Sequence, residues 1–179
     1  MTDVLQRTAF VLTTSDRSAA GDRDDESGRI VANDLAALGF ASERAVVADD
    51  QALIEAALRE AAERFPLIVT TGCTGLTPRD VTPQATRSVI DYEVPGIAEA
   101  MRAEGRRSTP MAALSRGVAG VRGRTLIVNL PGSPRGAADS LAAVAAVLGH
   151  ALDTLAGPYD HATRPIAPVS PSASERPGG

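Results

Sequence analysis

Three short runs of strand-forming residues, each almost unbroken in its apolar character, constrain the fold of this chain most: Thr8 to Thr14, Leu67 to Thr70 and Thr125 to Leu130. A strand wet on one side alternates apolar with polar residues, whereas a strand buried on both faces does not. Segments with apolar residues at helical spacing lie between and after these runs: Ile30 to Leu38, stopped by Gly39, then Gln51 to Arg64, Thr82 to Ile90, Pro95 to Arg106 and Ala137 to Leu155. Ser42 to Val47 reads as a further strand. Leu114 to Val121 reads as another, joined to Thr125–Leu130 through the tight Arg122-Gly123 turn. This alternation predicts an α/β fold in three layers, α/β/α, with a mostly parallel central sheet covered by helices on both faces. On the helix at Gln51 the expected buried face is Leu53, Ala56, Ala57, Leu58 and Ala61.

The length of 179 residues suits one domain, assigned to residues 1–160, and the Pro-, Ser- and Ala-rich segment 161–179 is expected to be a disordered tail. Aromatic residues make up 3% of the chain and Trp is absent, so the core must be built from Ala, Val, Leu and Ile. All 18 basic residues are arginine, which removes a Walker A lysine, a Schiff-base lysine and a lysine nucleophile from consideration. The two histidines, His150 and His161, lie near the C-terminus, and His150 is expected at a helix C-terminal end rather than as a base. A single cysteine excludes an intrachain disulfide and a multi-cysteine zinc cluster. A net charge of -4 argues against nucleic acid as a partner, and no stretch is expected to span a membrane, so the default location is cytoplasmic. A nicotinamide dehydrogenase is excluded, because no Gly-x-Gly-x-x-Gly follows the first strand.

In such sheets ligands bind beyond the carboxyl ends of the strands. Three loops leave strands at that edge, at Ser15 to Asp22, Thr71 to Thr82 and Pro131 to Gly136, and Asp49 follows a strand as well. The second carries Thr71, Gly72, Cys73, Thr74 and Gly75, then Arg79 and Asp80, then Thr82-Pro83 as a helix opening with Thr82 as its N-cap. Glycine lets a ligand approach the main chain, and exposed N–H groups suit an anion, most naturally a phosphate. Asp80 could hold a cation beside it, and Arg79 and Arg116 could fork onto phosphate oxygens. Plainer readings stand beside these. Asp49 serves equally as an N-cap, Asp80 as a turn carboxylate paired with Arg79, Ser115-Arg116 as a solvated edge, Asp16-Arg17 as a loop ion pair, and Gly132-Ser133-Pro134 as a simple connection.

Thr71-Gly72-Cys73-Thr74-Gly75-Leu76-Thr77-Pro78-Arg79-Asp80-Val81-Thr82-Pro83, then Leu114-Ser115-Arg116-Gly117, then Asn129-Leu130-Pro131-Gly132-Ser133-Pro134 resemble, in this order, the MogA/MoaB family of molybdenum-cofactor biosynthesis, over about Arg7 to Pro158. The Pro-Arg-Asp-Val-Thr-Pro and Asn-Leu-Pro-Gly-Ser-Pro forms look more like the MogA side. The resemblance implies a single α/β domain that forms homotrimers and an adenylyltransferase that moves AMP from ATP, with Mg2+, onto the terminal phosphate of molybdopterin. It also implies a protein partner for molybdate insertion. The functional aspartates of the family fall on Asp49 and Asp80, which are both the catalytic and the metal-ligand candidates. Substrate contacts fall on Thr71 to Gly75, Arg79, Thr82, Ser115, Arg116, Gly132, Ser133 and Pro134. One departure stands out, Cys73 where family members usually carry Gly. The alternative within the family is a non-catalytic MoaB-like molybdopterin-binding or assembly protein.

Overall fold

The computed structural model describes residues 7–157, so the tail expected at 161–179 lies outside the described residues. Six strands form one sheet: β1 (Arg7–Thr14), β2 (Phe40–Val47), β3 (Leu67–Thr71), β4 (Tyr92–Glu93), β5 (Ala119–Arg122) and β6 (Thr125–Leu130). Their order across the sheet is β2-β1-β3-β6-β5-β4. The first four of these neighbours are parallel, and β5 and β4 add to the far edge by antiparallel pairing. Six helices cover the sheet: α1 (Asp16–Ala19), α2 (Glu26–Ala37), α3 (Gln51–Ala62), α4 (Thr82–Arg87), α5 (Pro95–Ser108) and α6 (Pro134–Ala156).

Register explains why the apolar runs are continuous. Ala9, Leu67 and Leu126 pair across three strands, as do Phe10, Ile68 and Ile127 one position on. Side chains of the first row point to one face, where they pack with α2, α5 and α6 through Leu35, Met101, Leu141, Val144 and Leu148. Those of the second row point to the other, under Ile54, Leu58, Ala85 and Val89 of the α3–α4 side. Each strand thus needs apolar residues at successive positions.

Several expected elements are redrawn. The chain reaches strand geometry only at Ala119, because Pro110–Leu114 forms a 3-10 helix and Ser115 to Val118 a loop. On α3 the buried residues are Ile54, Leu58 and Ala61, while Leu53 is 52% exposed. The loop after β1 contains the short helix α1 rather than being irregular throughout. His150 lies inside α6, which runs on to Ala156, so it does not occupy the last turn. By length and composition α6 is apolar enough to cross a membrane, contrary to the expectation that no segment would be, but Leu141, Val144, Leu148 and Leu152 bury one stripe of it against the sheet.

The chain leaves β1 for β2 on one side and returns from β2 to β3 on the other, so the direction of winding reverses between β1 and β3. A sheet opens a crevice at such a reversal, at the carboxyl ends of the strands.

Candidate functional site

Thr14, Thr71 and Leu130 end the central strands, and the residues after them meet at this crevice. Gly72 is the pivot. Its φ is 112°, a conformation open to glycine, and a Cβ there would lie 2.3 Å from the Thr14 carbonyl oxygen. Gly132 comes close from the other side, with a Cβ position 3.1 Å from Gly72 Cα. The Gly72 N–H donates to the Leu130 carbonyl at 3.3 Å, and Thr71 Oγ1 donates to the Pro131 carbonyl at 2.7 Å. The loops after β3 and β6 are therefore stitched together at their first residues.

Cys73 follows at φ 50°, the left-handed region that disfavours a Cβ, so its backbone has the form expected of the glycine usual at this place in the family. Its thiol is half-buried and donates to the Thr14 carbonyl at 3.6 Å. Burial first, and then the carboxylate of Asp49 with Asp80 adding to the same field, pushes the thiol up to about 12. Such a thiol stays protonated and is a poor nucleophile. Asp49, from the loop after β2, acts on this thiol more strongly than Asp80, from the loop after β3.

The two carboxylates are held differently. Burial alone would raise the Asp80 carboxyl, but hydrogen bonds from Thr77 and Gly75 and the charge of Arg116 hold it below the ordinary carboxylate range. Its Oδ2 accepts from the Thr77 N–H at 2.7 Å. Arg79 does not pair with it; that guanidinium goes to Asp16. Asp49 Oδ1 is buried with no hydrogen-bond partner among the described residues. The helix cap expected of Asp49 belongs instead to Asp50, whose Oδ1 accepts from the Leu53 N–H at 3.0 Å.

Two expected phosphate ligands have other employment. Arg116 donates from Nε to the Gly75 carbonyl at 2.6 Å and from Nη2 to the Asp80 carbonyl, while its own N–H donates to the Thr74 carbonyl at 2.9 Å. It is a strap that closes the loop from Thr74 to Asp80 rather than a free anion binder. Thr82 is not an N-cap. It lies inside α4, fully buried, with its hydroxyl 3.0 Å from that of Thr14 and its N–H donated to the Cys73 carbonyl. Val81 takes the cap position without a side-chain bond, and the Thr82 N–H turns inward to the Cys73 carbonyl rather than outward. Arg79 is exposed and paired with Asp16, and Asp16 makes no pair with Arg17. Ser133 caps α6 by accepting from the Gly136 N–H at 3.2 Å, with Pro134 at the first turn, and the Ser115 hydroxyl accepts from the Gly117 N–H at 3.3 Å.

Beside the glycine loop lies a cavity of about 600 Å³. Thr74, Gly75, Ser115 and Ser133 form its polar edge, and Met101, Ala98, Met111 and Leu114 much of its apolar wall. Asp49 and Asp80 do not line it, nor do Thr71, Gly72, Cys73, Arg79, Thr82, Arg116, Gly132 and Pro134. Asp80 is close to the cavity all the same: a Cβ on Gly75, which lines it, would lie 3.0 Å from Asp80 Oδ2. Asn129 anchors the floor, donating from Nδ2 to Thr70 and Thr86 hydroxyls at 3.0 and 2.9 Å and accepting from the Val118 N–H. In the sequence Asn129 stands in a quoted motif without a role of its own, Asp16 reads only as a loop ion pair, and the methionines of the cavity are not singled out. Asp16 alone carried a signal, being the first carboxylate beyond a strand end.

The switch-point crevice, the glycine loop and the adjoining cavity together define an α/β small-molecule-binding domain. A family model described as a probable molybdopterin binding domain matches residues 10–150. The chain belongs to that family. It is 38% identical over 156 residues to the molybdopterin adenylyltransferase of Helicobacter pylori strain J99, covering 83% of this chain and 88% of that protein. Among solved structures it is similar to the molybdopterin biosynthesis enzyme MoaB of Thermus thermophilus, at 52% identity and a TM-score of 0.77, covering 83% of this chain and 96% of that one. The molybdopterin biosynthesis Mog protein of Mycobacterium ulcerans is similar at 46% identity and a TM-score of 0.79, covering 83% and 99%.

Proposed function

We propose that this chain is a molybdopterin adenylyltransferase, which joins the AMP of ATP to the terminal phosphate of molybdopterin and releases pyrophosphate. The observation that carries the reading is the closeness of a cavity and a carboxylate at the glycine loop. A largely apolar cavity of about 600 Å³, roomy enough for a fused pterin ring system, takes Thr74 and Gly75 into its lining, and the carboxylate of Asp80, which does not line it, lies 3.0 Å from a Cβ position on Gly75. A phosphate at Thr74, Gly75, Ser115 and Ser133 sits at the boundary. The pterin then occupies the cavity, and the nucleotide phosphates lie toward Asp49 and Asp80.

The chemistry asks little of proton transfer. An oxygen of the terminal phosphate, already ionised at neutral pH, forms a bond to the α-phosphorus of ATP, and the bond from that phosphorus to the bridging oxygen breaks as pyrophosphate leaves. A chain without lysine, with His150 exposed and remote on α6, can run such a reaction through positioning and charge stabilisation. Gly72 and Gly132 keep side chains away from the crevice, Arg116 fixes the loop that carries Asp80, and Ser133 orders the start of α6.

Magnesium fits the residues present. Among the described residues no group of three or more His, Cys, Asp and Glu side chains could hold a metal, but Mg2+ is commonly held by one or two carboxylates together with waters and substrate phosphates. Asp80 is kept ionised, and the orphaned Asp49 Oδ1 has a lone pair to give. Bound there, the ion supplies positive charge for the nucleotide phosphates.

Incubation of the purified chain with molybdopterin, ATP and Mg2+ should yield adenylylated pterin and pyrophosphate, separable by chromatography. Tight pterin binding with no transfer would select the MoaB-like binding role instead. Asp80→Asn should stay folded and lose transfer by a factor of about 100 or more, as for removal of a transition-state electrostatic contact; full activity would remove Asp80 from the mechanism. The working assembly is a homotrimer, testable by light scattering. The setting is cytoplasmic, with a partner protein receiving the adenylylated product for molybdate insertion, as the family resemblance suggests.

A further inference from the structure

We propose that Asp16 is a positioning residue for the acidic side of the site, setting the direction of Asp49 through the main chain and holding Arg79 through its second oxygen. This inference rests on the adenylyltransferase reading for its kinetic consequence, though not for its geometry. Asp16 is the second residue after β1, and its two carboxylate oxygens have separate partners. Oδ1 accepts the backbone N–H of Asp49 at 2.9 Å, and Oδ2 accepts from Arg79 Nη2. The Ser15 N–H donates to the Val47 carbonyl at 2.9 Å, so the turns after β1 and β2 are joined at consecutive residues. The three loops that carry Asp16, Asp49 and Arg79 leave three different strands, and this one carboxylate ties them together.

Asp49 needs such a tie. Its Oδ1 has no hydrogen-bond partner among the described residues, so no such bond aims that oxygen. Its direction follows from the main chain at residue 49, and the side chain that holds that main chain is Asp16. Arg79 is an exposed guanidinium with one charged partner. A nucleotide phosphate reaching it must compete with Asp16, so the carboxylate keeps the cation at the crevice while taxing its use.

The two functions are separable, because Asn can keep an Oδ1 acceptor for the Asp49 N–H but cannot accept a charge-assisted bond at the second position. Asp16→Ala removes both. In the full-length protein, Asp16→Ala should lower kcat by about 10–100-fold, the range for a residue that orients a ligand rather than touching substrate. Asp16→Asn should lose much less kcat than Asp16→Ala and should lower the KM for ATP by up to about fivefold, the worth of one exposed ion pair. In an Asp49→Asn background, Asp16→Ala should add little further loss, since it acts through Asp49. Independently of activity, amide hydrogen exchange at Asp49 should accelerate in Asp16→Ala while the amides of β1 and β3 stay protected. If the wild-type chain transfers no AMP but the Asp49 amide still loosens, the functional reading fails and the positioning stands. Unchanged exchange at Asp49, equal kinetics for the Ala and Asn variants, or losses that add fully in the double variant each overturn the proposal.

Discussion

Replacing Gly72 with alanine tests how tightly the strand ends are packed at the site. Two penalties combine there. The φ of 112° is unsuited to any L side chain, which costs about 1–3 kcal/mol. The new Cβ would also lie 2.3 Å from the Thr14 carbonyl and 2.8 Å from Thr14 Oγ1. That carbonyl belongs to the end of β1 and cannot rotate aside, so relief requires moving a strand end, at about 1–3 kcal/mol for overpacking. The two together give an expected loss of about 2–6 kcal/mol, a large part of a typical domain's 5–15 kcal/mol. Gly123 supplies the control: its φ is 56°, yet nothing lies within 4 Å of its Cβ position. Gly123→Ala should lose about 1–2 kcal/mol, from the conformational penalty alone. The gain from stiffening the unfolded chain applies equally to both and cancels in the comparison. Urea unfolding at one fixed protein concentration reads the difference as a shift in midpoint at constant m. Equal losses for the two variants would refute the claim that the Thr14 carbonyl crowds Gly72.

Arg116→Lys should destabilise the chain by about 1.5–3 kcal/mol and expose the loop from Thr74 to Asp80 to proteolysis, because an ammonium has no rigid, spread fork like the Nε and Nη2 that reach the two carbonyls; wild-type resistance would show that the strap is idle. Cys73 has a folded value of about 12 against 9.0 for an ordinary thiol. The folded state therefore holds the proton more tightly, so this contribution to stability is complete below pH 9.0 and drains away toward about pH 12. Alkylation by iodoacetamide should still be accelerating above pH 10 in the native protein, and a plateau near pH 9 would contradict the buried, acid-flanked setting of the thiol. Asp80 runs the other way. Its folded carboxyl is held below the ordinary 3.8, so its contribution is present above that pH and is lost as the pH falls through the folded value. Asp80→Asn should flatten the acid limb of urea midpoint against pH, and an unaltered limb would count against the hydrogen bonds from Thr77 and Gly75.

Strand identity was legible because burial on both faces writes itself as continuous apolar sequence, as in Leu67 to Thr70. The order of loops at the crevice followed from it. What was not legible depended on offsets and on main-chain partners. On α3 the sequence marks Leu58 and Ala61 correctly but takes Leu53 and Ala56 for the face that Ile54 completes, because the alanines around them blur the direction of burial. Thr82 carries every local sign of a helix cap, but the Thr14 hydroxyl across the sheet claims it. Arg116 reads as an anion ligand because its partners, the carbonyls of Gly75 and Asp80, carry no side-chain signature. The pairing of Arg79 with Asp16 spans 63 positions, beyond the reach of local pattern.

The outer strands bear on how the protein behaves when crowded. β2 ends the sheet on one side, and it places Glu43 and Arg44 in its middle, each joined to a charge on a neighbouring segment, Arg64 and Asp25. β4 ends the other side with a span of two residues. Neither rim offers a long, uncharged ribbon of free amides and carbonyls onto which another molecule's strand could zip. Polymerisation by sheet extension is thus discouraged at both margins.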